Sequence, residues 1–316
     1  MEKMLKIVTD TSCNFTEEEI EKYGILVIPM AVQLGKELIR ENSAYDFFSL
    51  AYRISTERLL PHVIYPSIDE FFKTYSLAFP KFSYILSMHI SSRIARIIDQ
   101  AKNAQALLYD AKIDVLDTPL TEVGLKPLII KAAHLAQKGD VPRHIILNTL
   151  NAQASKFHHY IISDDQRFIR TNTTYSGTFG FPLSFKGSRR RYIFSTTGGD
   201  LFFIDRFPRH VVIDKLSRII EAVSKGNPVY ARILYSLDDD FAKNLAEVLK
   251  SRFDFDLKGM EPMSLSSMCR YGPNSTAIGF SFDKNYFSEY CPSDASENET
   301  DNNVENEEEK VSLEED

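Results

Sequence analysis

The chain is poor in cysteine. Only Cys13, Cys269 and Cys291 occur among 316 residues, and no two of them form a C-x-x-C pair. That excludes a disulfide framework, argues against a structural metal, and fits free thiols in a reducing, cytoplasmic setting. No run of eighteen apolar residues is present, so no membrane span is expected. Met-Glu-Lys-Met-Leu-Lys leads straight into a strand, with no signal-peptide core before it. The sequence lacks G-x-x-x-x-G-K-[ST], G-x-G-x-x-G and G-x-S-x-G, hence any nucleotide fingerprint or hydrolase nucleophile elbow. His158-His159 have no i, i+4 partners and no cysteine neighbours. Asp10 has no second carboxylate at ligand spacing and is expected to stabilise a loop. No metal or cofactor is expected.

Positive charge is also scarce in the place where nucleic-acid binding would need it. The net charge is -7. Residues 292–316 carry eleven Asp/Glu and one Lys, so the remainder has 36 Lys+Arg against 33 Asp+Glu, a body of +3. The basic run Ser188-Arg189-Arg190-Arg191 reads as a solvated loop, with an acidic docking partner as the alternative; it lacks interleaved aromatics. Residues 291–316 are Asn/Glu/Ser-rich with little to bury, which predicts a disordered acidic tail.

What is present is 43% hydrophobic and 26% charged, enough for two cores. The first half alternates. Strands are predicted at 5–9, 25–32, 84–90 and 113–117. Helices are predicted at 15–23 (Asn14 as N-cap), 45–53, 67–77, 94–108, 121–138 and 142–154. Ser67 with Glu70 forms a capping box, Gly139 closes a helix, and Pro127 is expected to delay the start of 121–138. This order predicts a mostly parallel sheet with helices on both faces. From about residue 160 short strands (160–162, 192–195, 201–204, 229–235, 277–282) and two helices (210–225, 239–253) predict a second, α+β domain with antiparallel strands. Gly198-Gly199 marks a hairpin turn. The expected division is 1–160, 161–290 and the tail.

Tyr84–Leu108 is the most informative unit. A buried strand ends at Ser91-Ser92, and apolar residues at Ile94, Ile97, Ile98, Ala101, Ala104 and Leu108 mark one helix face. Such a turn is expected to aim free N–H groups and the positive helix end at an anion.

These elements, with several local strings, resemble the DegV family, whose members include the fatty-acid-binding subunits of bacterial fatty acid kinase. The strings are Ile7-Val-Thr-Asp-Thr-Ser12, Tyr23-Gly-Ile-Leu-Val-Ile-Pro-Met30, Pro66-Ser67-Ile-Asp-Glu-Phe-Phe72, Ser91-Ser92, Asp117-Thr118 and Gly272-Pro273. The resemblance runs from about Lys6 to Phe282. It implies a non-enzymatic carrier. An acyl chain would lie in a tunnel whose walls include Phe71, Phe72, Ile98, Leu128 and Ile129. The headgroup would lie at Ser91-Ser92 under the second domain, presented to a separate kinase.

The departures fall at the headgroup. Val63 stands where the family has a carboxylate-binding Thr, Ala95 where it has a Ser, and Arg96-Ile97 where it has Gly-Thr. Arg270 replaces a His, and Asp165-Gln166-Arg167 keeps only the Arg of a Gly-Gly-Arg motif. Arg206 matches a basic residue on the kinase-facing surface. Each lost hydroxyl removes about 1.5–3 kcal/mol of hydrogen bonding to a charged group, so both together weaken carboxylate binding by roughly two to four orders of magnitude. Arg96, Arg167 and Arg270 are the candidate replacements. The competing expectation is a regulatory or interaction protein of the same fold that binds no lipid.

Overall fold

The structure, a computed structural model, describes residues 3–57, 59–139, 141–174 and 190–290. The predicted tail, together with Ser188, Arg189 and Cys291, lies outside the described residues. In chain order the elements are β1 (Lys3–Asp10), α1 (Glu17–Tyr23), β2 (Leu26–Ile28), β3 (Ala31–Leu34), β4 (Glu37–Arg40), α2 (Phe47–Thr56), β5 (His62–Ile64), α3 (Ile68–Ala78), β6 (Phe82–His89), α4 (Ile97–Leu107), β7 (Ile113–Asp117) and α5 (Glu122–Lys138). There follow α6 (Arg143–Ala154), β8 (His158–Ser163), α7 (Gln166–Asn172), β9 (Arg190–Ser195), β10 (Phe202–Pro208), α8 (Val212–Ser224), β11 (Val229–Tyr235), α9 (Asp239–Arg252), β12 (Phe255–Pro262), α10 (Leu265–Tyr271) and β13 (Thr276–Ser281).

Three sheets form. The first is wholly parallel, in the order β2-β1-β6-β7. The second has the order β10-β9-β8-β13-β11-β12. It is mixed rather than antiparallel throughout, because β12 runs parallel to β11. The third, β4-β3-β5, is antiparallel and small. The predicted strand 25–32 is therefore two strands in two sheets. Pro29, which cannot donate to a ladder, sits at the break. The N-cap of α1 is Thr16, in a capping box with Glu19; Asn14 instead adopts φ +51° and closes a short 3-10 turn over Thr11–Cys13. The Ser67–Glu70 box opens α3 as predicted.

Helix α5 lies between the parallel sheet and the mixed one, touching β1 and β6 on one side and β11 and β13 on the other. Every residue from Glu122 to Ala133 is buried. Pro127 does not delay the helix. Its missing N–H leaves the Val123 carbonyl without its usual i+4 donor, and Arg232 Nη1 reaches that oxygen at 3.4 Å and the Glu122 carbonyl at 3.2 Å. The far face of the mixed sheet is covered by α8 and α9. Strand β8 alternates accordingly: Ile161 joins the core shared with α5, and Tyr160 and Ile162 join the core under α8 and α9.

Candidate functional site

Strand β6 ends in a turn that departs from the expected anion cradle. Ser91 N donates to Leu120 O, and Ser92 N to Asp117 Oδ1. Arg93 N donates to Ser91 Oγ, and Ile94 N and Ala95 N both donate to Ser91 O. All five amides are engaged within the protein. Helix α4 starts only at Ile97, so Ser91 and Ser92 do not cap it. Their hydroxyls donate to Gly199 O (3.2 Å) and to Asp117 Oδ2 (2.5 Å). Ala95 is fully buried, and Arg96, at the N-cap position of α4, is exposed.

The convergence lies one layer further in, around the end of α7. The Asn172 side chain accepts from Val63 N at 2.9 Å and offers its NH₂ to Pro61 O (3.0 Å), Phe168 O (3.2 Å) and Cys269 O (3.0 Å). Two residues on, Thr174 N donates to Ile94 O at 2.9 Å and its hydroxyl donates to Arg93 O. One short segment thus ties together β5 with Val63, α10 with Arg270, and the turn that carries Ala95.

Arg270, a candidate replacement for the lost headgroup hydroxyls, lies in a helix and not at the surface. It is fully buried in α10. Its Nη1 donates to Glu122 Oε1, and Tyr271 Oη donates to Glu122 Oε2 at 2.9 Å. Burial opposes the guanidinium's charge, yet Glu122 and the nearby Tyr65 and Tyr271 hold its pKa above the usual arginine range. Its Nε and Nη2 have no hydrogen-bond partner among the described residues. These two groups form the side edge of the guanidinium, which presents parallel N–H bonds.

A second orphan donor lies against the same helix. Ser12 Oγ, beside the Asp10 carboxylate, is buried with no hydrogen bond within range among the described residues, and Ser12 O accepts from Ser267 Oγ of α10 at 3.4 Å. Neighbouring Thr11 donates instead to Glu41, and Thr9 to the Cys13 sulfur at 3.9 Å. Glu41 Oε1 accepts from Ser266 N at the start of α10 (2.6 Å); burial pushes its carboxyl up.

Other predicted residues stay apart from this centre. Arg167 opens α7 and folds onto Asp165, with Nε 2.9 Å from Oδ2. Arg206 is half-buried on β10, an edge strand. Arg191, expected in a solvated loop, is fully buried on β9. It pairs with Asp164 at 2.8 Å and with Asp238, and it stacks on Phe241. Phe71, Ile98, Leu128 and Ile129 are fully buried, and Phe72 partly, all in the core that α5 shares with the parallel sheet.

Sequence reasoning missed Asn172, Glu122 and one buried chain of polar groups. Tyr75 Oη donates to Ser87 Oγ (2.8 Å), which lies 2.7 Å from His89 Nε2, while His89 Nδ1 lies 2.6 Å from Asp10 Oδ2. Burial works against the Asp10 charge, but His89 and Ser12 N outweigh it and pull the carboxyl below its ordinary range. Ser87 has the partners of a nucleophile, yet it is fully buried and hydrogen-bonded on both sides. The chain of bonds therefore reads as a cross-strand tie between β1 and β6 and α3.

A family model described as "Uncharacterised protein, DegV family" matches residues 4–185. A DegV domain-containing protein of Clostridium perfringens is 31% identical over 159 residues, 50% of this chain and 55% of that protein. Across the Clostridium, Listeria and Deinococcus relatives the chain spans 55% to 61% of their length. Protein DegV of Bacillus subtilis is 21% identical over 249 residues, 79% of this chain and 89% of that one. Among solved structures, DegV of B. subtilis, titled a fatty acid binding protein, superposes with a TM-score of 0.74 at 20% identity, covering 89% of this chain and 99% of that one. A stearic-acid-binding protein of Eubacterium ventriosum gives 0.73 at 18%, covering 88% and 98%. At such identities these superpositions establish the fold.

Proposed function

The chain belongs to the DegV family, and from that premise we propose that it is a carrier that buries one acyl tail and holds the headgroup against Arg270. The observation that carries the reading is the buried, unpartnered Nε–Nη2 edge of that arginine. It sits where α10 meets β5, the strand of Val63, and the start of α5. On this reading Arg270 and the Ser12 hydroxyl supply donors in place of the hydroxyls that Val63 and Ala95 lack. Fatty acid binding by the B. subtilis and E. ventriosum proteins supports the choice of ligand class.

On this reading residues 1–160 hold the tail and residues 161–290 cover the headgroup. Phe71, Ile98, Leu128 and Ile129 line the tail. Each buried CH₂ contributes about 0.8 kcal/mol, so a 16-carbon tail supplies on the order of 10 kcal/mol with little polar help. The chain has no catalytic step of its own. Ser91, Ser92, Arg96 and Arg167 then shape or flank the site without gripping the ligand.

A second reading adds hand-off of a free carboxylate to a separate kinase. It is favoured by Arg206, which lies on the same edge strand as exposed Phe202 and Ile204. The test of the carrier is direct. The full chain, purified from its host and extracted with organic solvent, should yield about one acyl lipid per protein by mass spectrometry. A protein that is empty and also fails to take up added acyl lipid would overturn it. Arg270→Met should lower retention at least tenfold, whereas Arg96→Ala should leave it unchanged.

A further inference from the structure

The carboxyl ends of β6 and β7, neighbours in the parallel sheet, open onto a cavity of about 160 Å³. It is lined by residues 91–93 after β6, 117–119 after β7 and 198–199 at the tip of the β9–β10 hairpin. The crevice beyond the carboxyl ends of parallel strands is where open α/β sheets hold ligands. The hairpin tip comes in close. A Cβ at Gly199, whose φ is +95°, would stand 3.1 Å from Pro119 Cα and 3.2 Å from Ser91 Oγ, so glycine permits the approach. Ser91 Oγ donates to Gly199 O, and Arg93 Nη1 lies 2.6 Å from Asp200 Oδ2 and 3.5 Å from Gly198 O. One hydroxyl is left over. Thr118 is 1% exposed, and its Oγ1 has no hydrogen-bond partner among the described residues. A buried hydroxyl without a partner is unfavourable, so the cavity calls for an occupant that hydrogen-bonds.

The chemistry of the lining narrows the occupant. Its charged side chains are Arg93 and Asp117, one of each sign. Asp117 accepts from Ser92 N on one oxygen and from Ser92 Oγ on the other, and each oxygen keeps a spare lone pair. Ser91 and Ser92 have given their protons to Gly199 O and Asp117, so they too can only accept. Thr118 can donate or accept, and Arg93 donates. An anion would face Asp117 and the serine lone pairs. An alkylammonium would donate well but stand against Arg93. A neutral molecule with adjacent hydroxyls donates to the acceptors and accepts from Thr118 and Arg93 at once. A cavity near this size takes a ligand of about six non-hydrogen atoms. We propose that it binds a free polyol of glycerol size, with neighbouring hydroxyls on Asp117 and Thr118. This goes beyond the acyl-carrier reading and does not depend on it, so a failed test leaves that reading untouched.

A titration read by nuclear magnetic resonance tests it. Full-length protein carrying ¹⁵N-glycine is titrated with glycerol, and the Gly198 and Gly199 amide signals are followed. Both should shift along a saturating curve with a millimolar dissociation constant. Propane-1,3-diol, which has no adjacent hydroxyls, should bind at least tenfold more weakly. Shifts that rise linearly without saturating, or equal affinity for the two alcohols, overturn the proposal. Glycerol 3-phosphate binding more tightly than glycerol also overturns it, because the site would then select an anion. Thr118→Val keeps the side-chain shape and removes the hydroxyl; it should weaken glycerol binding at least tenfold. An unchanged constant means that water alone serves Thr118, and the proposal falls. Should that variant not fold, the comparison of the two alcohols on the wild-type protein decides.

Discussion

At the scale of single residues the most consequential side chain is Asn172. It serves one buried amide and three carbonyls drawn from β5, α7 and α10. Asn172→Ala leaves several of these without partners, which costs about 1–3 kcal/mol for each group left unsatisfied. A drop of several kcal/mol in urea unfolding, with lipid retention falling in parallel, is the expected result. Nothing in the sequence near Asn172 signals this, because its partners lie as far as 111 residues away. Arg270 was legible as a position, from its place before Gly272-Pro273, but not as a buried one. His159 adds a pH dependence. Burial holds its pKa down to about 3 from 6.5, between the hydroxyls of Thr121 and Thr196. Below pH 6.5 the unfolded chain takes up a proton that the folded chain refuses, so stability declines with acid by up to about 1.4 kcal/mol per pH unit. Unfolding free energies at pH 7, 6 and 5 should show that slope, and His159→Gln should flatten it.

Elements with their own local signals were legible, and those shaped by distant contacts were not. The capping box at Ser67, the glycine stop at Gly139 and the apolar runs of β6 and β11 stand in the structure where periodicity and caps put them. Helix α10 was not visible because all seven of its residues are buried, which erases any amphipathic stripe. Strand β5 has only three residues and is held by β3. The late start of α4 follows from amides engaged by Ser91 and Asp117, not from the apolar spacing. The contact of α5 with β13 depends on two glycines. A Cβ at Gly124 or at Gly279 would stand 2.5 Å from the Phe157 ring, which is itself stacked on Tyr286 at 4.6 Å. Gly279→Ala should therefore cost roughly 1–3 kcal/mol through overpacking. A melting temperature equal to wild type would show that the ring can yield.

For the molecule as a whole, Glu261 is the tie between halves. It accepts from Arg232 at 2.7 Å and Lys126 at 3.2 Å, and Tyr290 donates to its other oxygen. Lys126 also pairs with Glu19 at 2.8 Å. Burial works against the Glu261 charge, but Arg232 and Lys126 outweigh it and bring the carboxyl down to about 2 from 4.5. The folded state thus binds this proton less readily than the unfolded one. The contribution, roughly 3 kcal/mol, is complete above pH 4.5 and lost as pH falls toward 2. Glu261→Gln should cost about 3–5 kcal/mol at pH 7 by leaving buried Arg232 without its carboxylate and Lys126 with Glu19 alone, read as a lower urea midpoint. Helix α5, walled by a sheet on either side, carries a consequence for dissection. A fragment ending at residue 160 would turn the mixed-sheet side of that helix, with Gly124 and Lys126, toward water. Co-expressed halves should therefore recover as one non-covalent particle, and each half alone should collect in inclusion bodies.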